Sequence, residues 1–467
     1  MKTWQDLEAV GEDKLIRADF VRQIINEFKC SDIYREAVIA YDYAKHRNTT
    51  INQYQKLLYT MSGKAVPDNY TANWKMASNF FYRFITQETQ YLLGNGANWL
   101  EESTKEALGK DFDVQLQRLA KDALIGGCAF GFWNLDHLEV FDIREFVPIY
   151  DEENGALMAG IRHWQLAPSK PLRATLYEPD GYTEYIWKES KAEILKEKRP
   201  YIIKTITTKA DGTEIYDFDN YPSFPIVPLW GNQNRQSELV GLREQIDCYD
   251  LIKSGFANDL DDASQIYWVI QNAGGMDDID LAKFIDRMKT VKAAVVEDTG
   301  AKAEAHTLDV PYASREALLD RLSADLYRDA MALDTQLISS GAVTATQILA
   351  AYEPLNSKAD EFEYCVHGFL HKLLFVAGIE NEKATFTRSM ILNRSEAIQS
   401  LIQAGAYLDS DYVTQKILSI EGDGDMAEDM LRKMHSDELA RMNMNVTEEN
   451  TEEENEEEND DAENSNA

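Results

Sequence analysis

The chain has 467 residues, with 47 Lys and Arg against 81 Asp and Glu, a net charge of −34. At about 150 residues per domain this length suggests roughly three structural units and ample chain for a large core. Eleven of the acids and no base fall in residues 447–467, so the rest of the chain still carries −23. A body that acidic excludes a protein that wraps nucleic acid, because phosphate neutralisation needs Lys and Arg. A surface that DNA slides past remains allowed. No apolar run approaches the ~18 residues of a membrane span, and residues 1–20 mix acids and bases without the apolar core of a signal peptide. Cys30, Cys128, Cys248 and Cys365 lie roughly a hundred residues apart. That spacing fits neither a zinc knuckle nor a disulfide framework and reads as scattered reduced thiols.

The first ~125 residues read as mostly helical. Residues 15–28 and 33–44 carry apolar positions at 3–4 spacing. A third periodic stretch covers 74–93 and stops at Gly94-Asn95-Gly96, and a fourth runs 105–125 to Gly126-Gly127. The pattern then changes. Residues 129–135, 138–150, 159–166, 173–178, 182–188, 201–207 and 214–218 are rich in β-branched and aromatic side chains, separated by Asp-Gly and Asn-Gly turns. Such runs predict a mostly antiparallel sheet over roughly 129–230.

A long helix is predicted next, over 237–262, with Leu239, Leu242, Ile246, Tyr249, Ile252, Phe256 and Leu260 on one narrow seam. It carries seven acids and two bases. A small mixed segment follows: strand 266–271, short helix 278–288, and strands 293–297 and 305–309. Pro311 then opens a second long helix, 312–335. After a loop, a third helix over 344–378 repeats apolar residues at strict 4–3 spacing and contains Pro354, which predicts a kink near Tyr352. Helices over 393–405 and 409–418 follow, and the polyanion from Val446 onward cannot bury enough surface to fold.

Motifs for chemistry are weak. There is no Walker A loop, no HExxH and no GxSxG. Gly422-Asp423-Gly424-Asp425-Met426-Ala427 matches a dinucleotide loop in letters, but a helix precedes it and its aspartates would face the pyrophosphate. His367 and His371 are four apart on one helical face, a metal-ligand spacing, yet nothing nearby completes a set, and core or interface histidines are the simpler reading. His137 and His435 have no partners visible in sequence. No catalytic residue, metal site or cofactor is therefore assigned. Periodicity alone also allows the two long helices to be an ordinary coiled-coil hairpin.

The order of the parts resembles the portal (head–tail connector) proteins of tailed bacteriophages, of the type found in long-tailed phages of Gram-positive hosts. The likeness covers about residues 30–420. It rests on Asn73 and Tyr91-Leu92-Leu93-Gly94, on Phe224-Pro225-Ile226-Val227-Pro228-Leu229, and on Ser237-Glu238-Leu239 with Ile246-Asp247 and Tyr249-Asp250. It continues at Leu308-Asp309-Val310-Pro311 with Leu319-Asp320 and Leu322. Each motif alone is weak; their order is distinctive.

The resemblance implies an α+β, mainly helical portal fold. Residues 1–235 would be the N-terminal wing (helices, then antiparallel sheet), 236–264 the first stem helix and 265–311 a small α/β clip. Residues 312–335 would be the second stem helix, 336–344 the tunnel loop, 345–390 a kinked wing helix and 391–445 a helical crown. Residues 446–467 would be an acidic tail, which departs from the family pattern. The implied function is a structural ring, typically of twelve subunits, at one capsid vertex in the virion, assembled in the host cytoplasm. DNA would pass through it during packaging and ejection, and it would be no enzyme. Its partners would be further copies of itself, double-stranded DNA without specific binding, the terminase packaging motor, the head–tail adaptor, and the major capsid and scaffolding proteins, with no membrane.

The tunnel loop would present Leu337, Ile338, Ser339, Ser340, Gly341, Ala342 and Val343 to DNA, and none of them is charged. Glu244, Asp247, Asp250, Asp325 and Asp329 would be stem acids facing the channel or neighbouring subunits. Acidic walls repel the phosphate backbone within the ~10 Å Debye length at 0.1 M salt, and apolar seams at about 25 cal/mol per Å2 must supply the association energy. Two alternatives stand beside this reading. One is an acidic metal-dependent nucleic-acid or phosphate hydrolase. The other is a coiled-coil scaffold forming dimers or fibres rather than closed rings.

Overall fold

A computed structural model describes residues 2–11, 14–59, 63–68, 73–188, 191–208, 214–263, 267–271, 302–306, 312–335, 345–380, 382–389, 394–421, 427 and 429–436. The chain divides into two compact units: residues 1–342 with 349–389, and residues 343–348 with 390–467. In the second, the helices Arg394–Ala404 and Ser410–Glu421 pack together, and His435 Nε2 lies 3.0 Å from Asp411.

The first unit begins with helices Trp4–Ala9, Lys14–Lys29, Asp32–Ala44 and Thr49–Gln53. Thr3 caps the first through a reciprocal pair with Asp6, which satisfies two donors that a helix start otherwise leaves open. The stretch expected as one helix over 105–125 is two, Glu102–Leu108 and Phe112–Gly126. Gly109 separates them with φ +84°, a backbone conformation that ends a right-handed helix.

The sheet region also differs from a single sheet. Strands Ile226–Trp230, Cys128–Asn134 and His137–Asp142 form one antiparallel sheet in that order. A separate antiparallel meander runs Lys191–Arg199, Gly181–Lys188, Leu172–Glu178, Leu157–Trp164 and Phe146–Tyr150. Ile202–Thr208 and Glu214–Asp219 pair as a third, two-stranded ribbon. The expected run 138–150 is cut in two by a turn in which Glu145 N donates to Asp142 O. Strand Lys191–Arg199 escapes a hydropathy reading because most of its residues are charged or exposed. Pro148 and Pro228 sit on edge strands, where a missing N–H leaves no ladder bond open.

Two cores result. Val21, Ile25, Phe130, Phe141, Phe146 and Trp187 join helix Lys14–Lys29 to the five-stranded sheet. Phe84, Leu92, Leu119, Leu242, Leu326, Phe362 and Phe369 join the helices to the three-stranded sheet. Gly131 allows the second contact, because a Cβ there would lie 2.7 Å from the Phe369 ring.

The two long helices are Arg243–Ala263 and Tyr312–Asp329. Both are shorter than expected. Residues 237–242 form turns instead, with Gly241 at φ +88° and Leu239 and Leu242 buried in the core. The second helix stops where Met331 adopts φ 53°. Met331 N then donates to Arg328 O (3.1 Å) and Ala332 N to Tyr327 O (3.0 Å), a Schellman termination with Met in the place usually held by Gly. Beyond the first helix, Tyr267–Gln271 pairs antiparallel with Lys302–His306, three residues earlier than the strand expected at 305–309. The expected helix 278–288 and strand 293–297 lie outside the described residues. The third helix, Ala345–Ala377, continues as helix on both sides of Pro354.

Residues 74–79, expected as the start of a helix, are not helical, and the helix itself is Phe80–Leu93. The reason is a ladder of polar side chains on helix Arg243–Ala263. Asn258 Oδ1 accepts from Trp74 N (2.7 Å), Ser254 Oγ from Met76 N (3.0 Å) and Asp250 Oδ1 from Ser78 N (2.8 Å). Asn48 Nδ2 donates to both Asp250 and the Ser78 carbonyl. Four helical residues rise about 6 Å and two extended residues about 6.6 Å, so successive rungs stay in register. Asp250, Ser254 and Asn258 are buried, Asp250 completely. Replacing Asp250 by Ala would leave the Ser78 amide and the Asn48 side chain buried without that acceptor. Asp250→Ala is expected to lower stability in urea unfolding by about 2–4 kcal/mol, whereas Glu244→Ala at an exposed position changes it by less than about 0.5 kcal/mol; equal losses would contradict the ladder.

Candidate functional site

The two long helices form an antiparallel hairpin. Asp259 is ion-paired with Arg315 at 2.5 Å, and Gln245 donates to Asp329 at the other end. The two contacts are fourteen residues apart on each helix, which fixes both direction and register. Aromatic rings close the base: Phe80 meets Tyr249 edge-on at 5.0 Å, and Phe84 meets Tyr327 at 5.3 Å. Leu326 is fully buried there, while Leu260 toward the far end is half exposed. The seam read from sequence is thus buried only near the body; further out, the buried positions of the first helix are the polar rungs.

The five acids expected to face a channel or neighbours have different surroundings. Glu244 and Asp329 are exposed. Asp325 is partly exposed and pairs with Arg321 (3.7 Å) and Arg328 (3.0 Å). Asp247 accepts from Tyr43 Oη and from Thr50 Oγ1 (2.7 Å), with Arg243 at 3.8 Å. Asp250 departs from the expectation altogether: it is enclosed by its own chain and serves the ladder, because its side of the helix faces the segment 73–79. Leu337, Ile338, Ser339, Ser340, Gly341, Ala342 and Val343 lie outside the described residues, as does the glycine-aspartate motif at 422–426. His367 Nε2 lies 3.4 Å from Glu363 and its ring packs on Phe386. Among the described residues no group of three or more His, Cys, Asp and Glu is placed to hold a metal ion.

Sequence reasoning missed the junction at the hairpin's base. Lys358, on the long helix Ala345–Ala377, reaches Glu88 at 2.9 Å and Glu238 at 2.8 Å, and donates to the Ala330 carbonyl at 3.3 Å. Beside it, Gln87 Nε2 donates to the Leu333 carbonyl (3.0 Å) and Gln87 Oε1 accepts from Leu333 N (3.0 Å). Lys358, Glu88 and Glu238 border a cavity of about 450 Å3 lined also by Asn232, Gln236, Asp329 and Glu361. The only signal in the sequence is a Gln-Glu pair inside an apolar helix, which has no obvious partner until the fold supplies one.

One cation lies between two carboxylates here, so full ionisation would leave a buried excess of negative charge. Burial first, and then Glu238, push the Glu88 carboxyl up to about 7, against the pull of Lys358. The same two carboxylates hold the Lys358 ammonium above its ordinary value despite its burial. A carboxyl raised in the folded state binds its proton more tightly there than in the unfolded chain. Its stabilising contribution is therefore complete below about pH 4.5 and is lost as pH rises through about 7, by on the order of 3 kcal/mol. In thermal unfolding from pH 5 to pH 8, Glu88→Gln is expected to gain on the parent chain as pH rises; a constant difference would contradict the assignment.

Comparison with known proteins bears on this architecture. Residues 40–438 match the family described as phage portal protein, SPP1 Gp6-like. A portal protein of Clostridium phage phiCD119 is 25% identical over 358 residues, covering 70% of this chain and 77% of that protein. The portal protein of Bacillus phage SPP1 is 24% identical over 398 residues, covering 76% and 74%. Among solved structures, a chain in the neck of an empty GTA particle, computed with C6 symmetry, covers 73% of this chain and 90% of its own length at 9% identity and a TM-score of 0.42. Nothing in these comparisons supports the hydrolase alternative. With helices, antiparallel sheets and a helical hairpin in the expected order, and a match that spans most of its length, the chain belongs to the phage portal protein family, SPP1 Gp6-like.

Proposed function

We propose that this portal protein closes into a ring of twelve subunits at one capsid vertex and conducts double-stranded DNA in packaging and ejection. The packaging motor docks on it first and the head–tail adaptor later, through residues about 265–311, while the major capsid and scaffolding proteins hold its rim. It is a component of the virion, assembles in the host cytoplasm, and contributes no catalysis of its own.

The observation that carries this reading is the charge arrangement of the hairpin. The segments Arg243–Ala263 and Tyr312–Asp329 hold ten acids and five bases. Arg243, Arg315, Arg321 and Arg328 are each ion-paired with an acid of the same hairpin. Phosphate retention needs cations free to displace counterions, and these are already engaged. Such a hairpin, lining a channel, lets a polyanion move without being held. The uncharged residues 337–343 then touch DNA by shape alone.

Negative-stain electron microscopy and light scattering of the purified chain are expected to give a closed ring with a central hole and a mass near twelve subunits. Magnesium-dependent cleavage of DNA by the same preparation would overturn the reading. Gly341→Lys is expected to leave rings intact and to reduce the DNA packaged into heads at least tenfold; normal packaging would remove residues 337–343 from the channel.

A further inference from the structure

The stretch Ala330–Leu333 is held more firmly than a helix end requires. Met331 lies in the left-handed region at φ 53°. For a side chain other than Gly that conformation costs about 1–2 kcal/mol and persists where surrounding contacts over-determine it. Those contacts are present on both sides. Lys358 donates to the carbonyl before Met331, and Gln87 makes a reciprocal pair with the backbone N–H and carbonyl of Leu333. A primary amide that donates and accepts at one residue imitates the pairing of two strands, and it restrains both rotation and translation of the backbone there. Leu333 is itself buried, at 5% exposure. Lys358 is immobilised in turn by Glu88 and Glu238. Gln87 and Glu88 are neighbours on helix Phe80–Leu93, so one short segment of that helix governs both points.

We propose that Gln87 and Lys358 form a two-point clamp that sets where and in which direction the chain leaves Leu333, making Gln87 a positioning residue for the DNA-contacting segment that follows. The proposal rests on the portal reading above. A simple stabilising role would need neither a reciprocal pair on one residue nor a left-handed turn held between two anchors. Gln87 and Lys358 lie far apart in sequence and reach the same four residues from different helices. The uncharged segment begins at Leu337, four residues beyond the anchored one in the sequence.

The test uses the full-length chain, purified and in phage, with Gln87→Ala and Gln87→Glu. The Glu variant keeps an acceptor for Leu333 N and loses the donor. Three quantities are read: ring formation by electron microscopy, hydrogen exchange of the Leu333 amide, and DNA per head. The expected result is normal rings, at least tenfold faster exchange at Leu333 in Gln87→Ala with a smaller change in Gln87→Glu, and a parallel fall in packaged DNA. Unchanged exchange in both variants would overturn the clamp. Faster exchange with normal packaging would overturn the positioning role, and loss of rings in both variants would reassign Gln87 to assembly. Gly341→Lys separates these outcomes from failure of the channel assignment on which the proposal rests, since normal packaging by that variant removes residues 337–343 from the channel whatever Leu333 does.

Discussion

Much of this structure depends on a match between two periods. A helix advances about 6 Å in four residues and an extended chain about 6.6 Å in two. Asp250, Ser254 and Asn258 can therefore serve the amides of Ser78, Met76 and Trp74 in succession. Without these partners, residues 73–79 would approach the hairpin with unpaired donors, each a penalty of about 1–3 kcal/mol when buried. With them, an acidic helix is fastened to the body along a polar edge, and its apolar edge stays free for Leu326 and Tyr327. Apolar burial alone would place the hairpin's base, but it would leave the outer half, where Leu260 is half exposed, without direction.

The excess of acid shapes the interior as well as the surface. Lys358 lies between Glu88 and Glu238, and Asp122 close to Asp142 has its carboxyl pushed up to about 6 by burial and that neighbour. On the hairpin the four arginines are engaged in intrachain pairs, so the surface keeps its negative character in detail and not only in sum. A conduit for DNA needs that property locally, because screening confines each charge to about 10 Å in 0.1 M salt. The junction of Gln87, Glu88, Glu238 and Lys358 stands at the point where the hairpin ends, and Lys358 joins the long third helix to it.

Strong periodicity was readable wherever one face of an element is apolar. Helices Lys14–Lys29, Asp32–Ala44 and Ala345–Ala377 lie within a residue or so of their expected bounds for that reason. The failures have specific causes. Strand Lys191–Arg199 alternates charge rather than hydropathy. Residues 237–242 share the apolar spacing of the helix that follows, yet Leu239 and Leu242 enter the core as a turn because Gly241 leaves the right-handed region. Residues 74–79 carry a helical pattern that backbone partners in another element override. Asp250 was read as one more surface acid because nothing nearby in sequence signals that Asn48 and Ser78 converge on it.

By itself the sequence determined the order of the parts, the antiparallel character of the strands between residues 129 and 230, the acidity of the hairpin and the uncharged segment 337–343. Those properties are local: they follow from side-chain period, turn residues and charge. Only the tertiary structure decided where the hairpin helices begin and end, that the strands divide into separate sheets, which acids are buried, and that Gln87 and Lys358 hold the same short stretch of chain. The physical reason is that a polar side chain's role depends on the partner it meets, and here Gln87 and Leu333 are 246 positions apart in the chain.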